Sequence, residues 1–251
     1  GTALPYPMAV AATGRTEDAY TMGKITALEA RAAGVQWVFA PVGDVNSNPD
    51  NPIINTRSFG EDPQRVSELV AAFVRGVEEN GALSTTKHFP GHGDTSTDSH
   101  VAMPTITGDR ARLERVELAP FRAAIAAGTS TIMTGHLAVP ALEPETDVPA
   151  TMSRKVLTDL LRKERGFEGL IVTDALDMGG VTGKPAPGEV AVRSLLAGAD
   201  VLLVPPVPDA AMLAIKEAVA SGRVPMARLD ESVKRILRAK ARLGLHKQKR
   251  V

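Results

Sequence analysis

The stretch ALSTTKHFPGHGDTSTDSH, Ala82 to His100, decides how the chain is read. It opens as an apolar and β-branched run, Ala82 to Phe89, with the length and composition of one buried strand. Proline cannot continue a hydrogen-bonded ladder and glycine frees the backbone, so the run stops at Pro90-Gly91. The polar loop that follows carries His92, Asp94, Asp98 and His100. Titratable groups are thus delivered just past the C-terminal end of a strand.

The same unit recurs on both sides. Upstream, WVFAPV (Trp37–Val42) reads as a strand, and Asp44, Asn46 and Arg57 follow it. The helix after it is signalled within Glu61–Gly81: Asp62 can cap, Pro63 suits the first helical position, and Gly81 suits the end. Val66, Leu69, Val70, Phe73, Val74 and Val77 make one apolar stripe on it. Downstream, a helix is expected over Asp109–Ala127, a strand in STIMTGH (Ser130–His136), and a helix over Arg154–Glu164. Next come the strand EGLIVTDAL (Glu168–Leu176), a helix over Gly188–Ala197 and the strand DVLLVPP (Asp200–Pro206). Helices over Ala210–Ala220 and Asp230–Ala241 follow, and one over Glu17–Ala33 precedes the first strand.

Strands alternating with helices imply a parallel sheet with right-handed crossovers. Successive strand ends carry polar groups: Asp44 to Arg57, Lys87 to His100, His136 and Asp174. An open doubly wound sheet gathers its site at one switch point, whereas a (β/α)8 barrel of the TIM type collects residues from many strand ends on one rim. No glycine-rich phosphate loop follows any strand, and the barrel is the expectation. A closed barrel needs eight strands, more than are legible here. Either short strands lie within LPYPMAVAAT (Leu4–Thr13), or the chain is a barrel domain lacking its first strands, part of a longer protein.

Composition narrows the function classes. Of 251 residues, 29 are basic and 29 acidic, so no electrostatic footprint for nucleic acid or an anionic membrane is expected. No apolar run has the length of a membrane span. The absence of cysteine excludes disulfide and thiolate chemistry and leaves the compartment open.

Each candidate residue has a plain structural reading beside a chemical one. Asp98 can accept the Nδ1–H of His100, which would leave Nε2 for proton transfer, or the pair can be turn architecture. His92, Asp94, Asp98 and His100 could ligate a metal, although no helical metal motif supports it. Asp174 ends an apolar strand and is either a reactive carboxylate or the cap of the next helix, a role Asp177 can fill instead. Lys87, His88 and Arg57 can donate to hydroxyls or carboxylates or serve as struts. His136 ends its strand and is expected to face the cavity. His246 sits in a basic tail and is expected to face solvent.

KHFPGHGDTSTDSH (Lys87–His100) resembles the signature of the β-N-acetylglucosaminidase branch of glycoside hydrolase family 3, K-H-[FI]-P-G-[HL]-G-x4-D-[ST]-H. FAPVGDVNSNP, RSFGEDP and IVTDALDM resemble the family's other landmarks, in the expected order. The resemblance implies a (β/α)8 barrel and a retaining glycosidase that removes terminal β-linked N-acetylglucosamine or N-acetylhexosamine. It implies Asp174 as nucleophile, His100 as general acid/base with Asp98 orienting it, and Arg57, Lys87 and His88 as binders of sugar hydroxyls. It implies no metal and no organic cofactor, and a small carbohydrate partner such as an N-acetylglucosamine glycoside or a muropeptide. A β-glucosidase of the same family and a metal-dependent barrel hydrolase are the alternatives. A neutral histidine would not repel an anionic acceptor, so either phosphate competes with water for the glycosyl-enzyme or the histidine only sets the pH optimum. The D-Q-E-G-G segment that precedes these landmarks in the family has no counterpart here.

Overall fold

The computed structural model describes residues 1–99, 101–181 and 185–247. Its centre is a parallel sheet of three strands in chain order: β1 (Thr85–Phe89), β2 (Thr131–Thr134) and β3 (Leu170–Thr173). Every strand residue is buried except Lys87, which is half-buried, as expected where helices cover both faces. The two outer runs read from the sequence lie along the sheet's edges. Trp37 and Val42 bridge in parallel to Leu83 and Lys87, and Val201 bridges to Val172. Both runs contain prolines (Pro41; Pro205 and Pro206), which supply no N–H, so neither builds a regular ladder.

The parallel α/β architecture therefore stands. A ring of eight strands is not formed among the described residues. Nor do strands lie within Leu4–Thr13: that segment holds the short helix α1 (Pro7–Ala11), started by Pro7.

Helix α2 (Thr16–Ala32) packs on α3 (Pro63–Glu78) with unusually close backbones. A Cβ on Gly76 would lie 2.2 Å from the Tyr20 carbonyl oxygen, and one on Gly23 would lie 2.3 Å from that of Phe73. Helix α3 begins as its sequence predicts: Asp62 Oδ1 accepts the Arg65 N–H at 2.7 Å, and Pro63 follows. Its apolar stripe is buried, each large side chain contributing roughly 1.5–3 kcal/mol. The helix expected over Asp109–Ala127 is two: α4 (Arg110–Arg115) and α5 (Ala119–Ala126). Pro120 has no N–H for the Val116 carbonyl, and its ring would clash there, so the helix cannot run through. Phe121 of α5 meets Phe89 of β1 edge to face at 5.2 Å. The Lys155–Glu164 helix is wound in π-type turns; α6 (Pro187–Ala197), α7 (Pro208–Ala220) and α8 (Met226–Arg242) follow. Helix α8 begins before Asp230, with Pro225 at its N-cap.

Two carboxylates fasten the N-terminal ends of the strands. Glu78, at the end of α3, accepts the backbone N–H groups of Ser84 (2.9 Å) and Ser130 (2.8 Å), and Arg242 of α8. Asp200 is buried and accepts Ile171 N–H (3.0 Å), Ser232 Oγ–H (2.7 Å), Arg235 (3.1 Å) and Arg162. Burial pushes the Arg162 guanidinium down to about 10, against the pull of Asp200.

Candidate active site

The opposite, C-terminal end of the sheet gathers the reactive groups. β1 ends on Lys87-His88-Phe89, and the turn after the Trp37–Val42 run brings Asp44 beneath His88. Asp44 is fully buried. Its Oδ1 accepts the backbone N–H of His88 (3.0 Å) and of His92 (2.8 Å), and its Oδ2 lies 2.7 Å from His88 Nδ1. Burial alone would raise the Asp44 carboxyl, but His88 beside it and these donors hold it below the usual carboxylate range. An ionised carboxylate only accepts, so Nδ1 of His88 carries a proton. The ring's other nitrogen, Nε2, then faces Asp174 Oδ2 at 3.9 Å, within ion-pair range and beyond a direct hydrogen bond.

Asp174 follows β3. Its N–H donates to the Thr134 carbonyl (3.0 Å) and its Oδ1 accepts the Ala175 N–H (2.9 Å), leaving Oδ2 toward His88. The helix-cap reading fails for both aspartates: α6 starts only at Pro187, its N-cap is Ala186, and Asp177 is exposed in the intervening turn. Lys87 is half-buried, and its ammonium is lowered first by burial and then by Arg57, with Asp174 and Asp44 opposing. Arg57 sits on a 3-10 turn, Asn55–Arg57, with Nη1 donating to the Ile53 carbonyl at 2.9 Å. Arg57, Lys87, His88 and Asp174 thus share one electrostatic neighbourhood.

The loop after β1 is held by its own residues. His92 is buried, with Nδ1 2.7 Å from Thr95 Oγ1 and Nε2 2.9 Å from Ser99 Oγ. Burial drives its pKa down to about 4. Asn51 donates to the His92 carbonyl (2.9 Å) and accepts the Ile54 N–H (2.8 Å), pinning this loop to the preceding one. Gly93 is required: a Cβ there would lie 1.7 Å from the Val45 carbonyl oxygen. Asp94 turns away to Arg112 (3.0 Å) and Ser47 (3.2 Å). The metal reading asked His92 and Asp94 to converge, and they do not; among the described residues no cluster of three such ligands forms. The Asp98 carbonyl accepts the N–H groups of Val101 (3.0 Å) and Ala102 (3.1 Å). His100 lies outside the described residues. His136 is fully buried, beside Thr151 Oγ1 (2.8 Å) and the Ala175 carbonyl (2.9 Å), so it braces the backbone next to Asp174 rather than facing an open cavity. His246 is exposed.

Sequence reasoning left Asp44 without a role and passed over Asn51. Asp44 carried a signal: it follows a buried run as Asp174 does. Asn51 carried none, since its partners are backbone groups brought near only by the fold.

Comparison with known proteins agrees with this arrangement. The family described as Glycosyl hydrolase family 3 N terminal domain matches residues 1–239. Beta-hexosaminidase A of Pseudoalteromonas piscicida is 38% identical over 247 residues, covering 91% of this chain and 41% of that protein. A beta-N-acetylglucosaminidase/beta-glucosidase of Cellulomonas fimi is 37% identical over 248 residues, covering 96% and 44%. The solved structure of a glycoside hydrolase family 3 beta-N-acetylglucosaminidase from Paenibacillus superposes with a TM-score of 0.96 at 45% identity, covering 100% of this chain and 48% of that one. The chain spans less than half the length of these curated relatives. A family match over 239 residues, laid on a parallel α/β sheet whose strand ends bear the acids and bases, has one reading: the chain belongs to glycosyl hydrolase family 3, as its N-terminal domain.

Proposed function

We propose that the protein is a retaining glycosidase that releases terminal β-linked N-acetylglucosamine through a covalent glycosyl-enzyme. The observation that carries this is Asp174, a carboxylate at the end of a buried strand, with one oxygen tied to the Ala175 N–H and the other facing His88. Asp174 attacks the anomeric carbon as the glycosidic C–O bond breaks, and His100, oriented by Asp98, gives its proton to the leaving oxygen. Neutral His100 then takes a proton from water, whose oxygen displaces Asp174 from the anomeric carbon. Histidine suits both duties, because its ordinary pKa of about 6.5 lies near working pH. Arg57 and Lys87 donate to sugar hydroxyls, and His88, aimed by Asp44, presents Nε2 to them; Lys87 is less hydrated than a surface lysine. No step calls on a metal or organic cofactor.

The names of the relatives support an N-acetylhexosamine substrate, and the double name of the Cellulomonas relative makes β-glucoside the rival. The parallel runs are read as an arc of a (β/α)8 barrel, a single catalytic domain. The full-length protein, incubated with 5-fluoro-N-acetylglucosaminyl fluoride and digested, should carry the label on Asp174, and Asp174→Ala should carry none. A label elsewhere sinks the assignment. A panel of aryl β-glycosides, with and without chelator and millimolar phosphate, separates the glucosidase, metal-hydrolase and phosphate-acceptor alternatives.

A further inference from the structure

We propose that Ser99 is a positioning residue, the tie that holds the loop after β1, where Asp98 lies, against the loop that follows Asp174; the inference rests on the roles proposed above for Asp98, His100 and Asp174. Ser99 stands between Asp98 and His100 in the chain and is held from two sides. Its carbonyl accepts the N–H of Gly180 at 3.0 Å, and Gly180 belongs to the loop that follows Asp174. Its hydroxyl lies 2.9 Å from His92 Nε2. The loop after β1 and the loop after β3 are therefore joined through one serine.

The direction of the second bond can be worked out. The Thr95 hydroxyl donates its proton to the His92 carbonyl at 3.0 Å. Thr95 Oγ1 must therefore accept from His92 Nδ1, 2.7 Å away, so Nδ1 carries the ring proton. In a neutral imidazole Nε2 is then a bare acceptor, and the Ser99 hydroxyl donates to it. Burial keeps the ring neutral at physiological pH. The ring is held at both nitrogens by Thr95 and Ser99, and the His92 backbone beneath it by Asp44 Oδ1, which accepts its N–H at 2.8 Å. Asp44, which aims His88, thus also anchors the tie. Gly180 completes the fit: a Cβ there would lie 2.8 Å from His136 Cβ and 3.2 Å from the Ser99 oxygen, so a side chain would push the two loops apart.

The inventory of partners argues against a merely local turn. A loop brace needs bonds within its own loop, as Thr95 provides; the Ser99 carbonyl instead reaches across to the loop of the nucleophile. The experiment uses the full-length protein with Ser99→Ala, His92→Leu and Gly180→Ala. Phenyl and 2,4-dinitrophenyl N-acetyl-β-glucosaminides are compared, because only the poor phenolate leaving group needs the acid. Each variant should lose about tenfold or more in kcat/KM on the phenyl substrate and less than about twofold on the dinitrophenyl one, since misplaced acid catalysis is felt where protonation matters. Hydrogen exchange at the Gly180 amide should quicken in Ser99→Ala and His92→Leu. Equal losses on both substrates, or none, would overturn the positioning role, and unchanged Gly180 exchange would overturn the tie itself. A wild-type protein inactive on every aryl β-glycoside would strike at the proposed function instead, while the exchange measurement still decides whether the tie exists.

Discussion

At the scale of single residues, the site is a set of aimed side chains resting on buried, fully committed ones. Asp44 is the clearest case. Its carboxylate serves two backbone donors and the His88 ring, and its pKa is depressed despite burial. A depressed acid adds stability above its unfolded value, and that increment is lost as pH falls through the folded one. Asp44→Asn should therefore be less stable than wild type at neutral pH, and urea midpoints should show the gap closing below about pH 4. His92 is linked to pH in the same sense, in a higher window and for a different cause, burial of the ring. The unfolded chain protonates it near 6.5 while the fold resists until about 4, so stability drops as pH falls across that window. Converted at 1.36 kcal/mol per pK unit, this is on the order of 3 kcal/mol. His92→Leu should remove that part of the acid sensitivity, measured as the difference between the two proteins' unfolding free energies at pH 4 and pH 7. The aspartate and histidines were visible in the sequence because they follow strand ends, but their division of labour was not. His88 and His92 both read as open chemistry; contact with hydroxyls across a buried loop makes one of them a strut.

At the scale of elements, helices and strands were legible where local chemistry decides them. The Asp62-Pro63 start of α3 is such a case, and Asp62→Ala should cost about 1 kcal/mol by thermal or urea unfolding. What the stripe on α3 could not reveal is how closely its neighbour approaches, since that depends on two glycines far apart in sequence. Gly23 and Gly76 let α2 and α3 cross backbone to backbone. Gly76→Ala must push them apart and should destabilise by about 1–3 kcal/mol, despite alanine's better helix propensity. Gly14→Ala has nothing within 4 Å to strike and tests only the cost of its positive φ. The division of α4 from α5 was signalled by Pro120 and obscured by the continuous amphipathic pattern around it. The sequence expects a barrel short of its first strands, and the described residues show a parallel α/β sheet of three strands with two bridged outer runs: period and length identify strands, but pairing across the sheet decides which of them ladder.

At the scale of the whole molecule, the two ends of the sheet are specialised. The C-terminal end gathers Lys87 and Asp174, whose Oδ2 faces His88 Nε2 at 3.9 Å. The N-terminal end is closed by carboxylates that serve several donors each. Asp200 sits among Arg162, Arg228 and Arg235, so Asp200→Ala would leave buried guanidinium groups uncompensated. A loss of about 3–5 kcal/mol is expected in urea unfolding, with the KM of the folded fraction unchanged because the site is at the far end. Trp37 belongs to this lower end as well. Its indole N–H lies 2.7 Å from Thr85 Oγ1 and 3.0 Å from Thr131 Oγ1, joining the first run to β1 and β2. It is the chain's one tryptophan. Excited at the red edge of its absorption, where Tyr6 and Tyr20 do not absorb, the chain's fluorescence has a single source, placed at the seam of the sheet and away from Asp174. Its emission will follow the coming apart of the strands and stay silent when sugar binds, which gives this domain an optical gauge of its own folding, free of interference from the ligand.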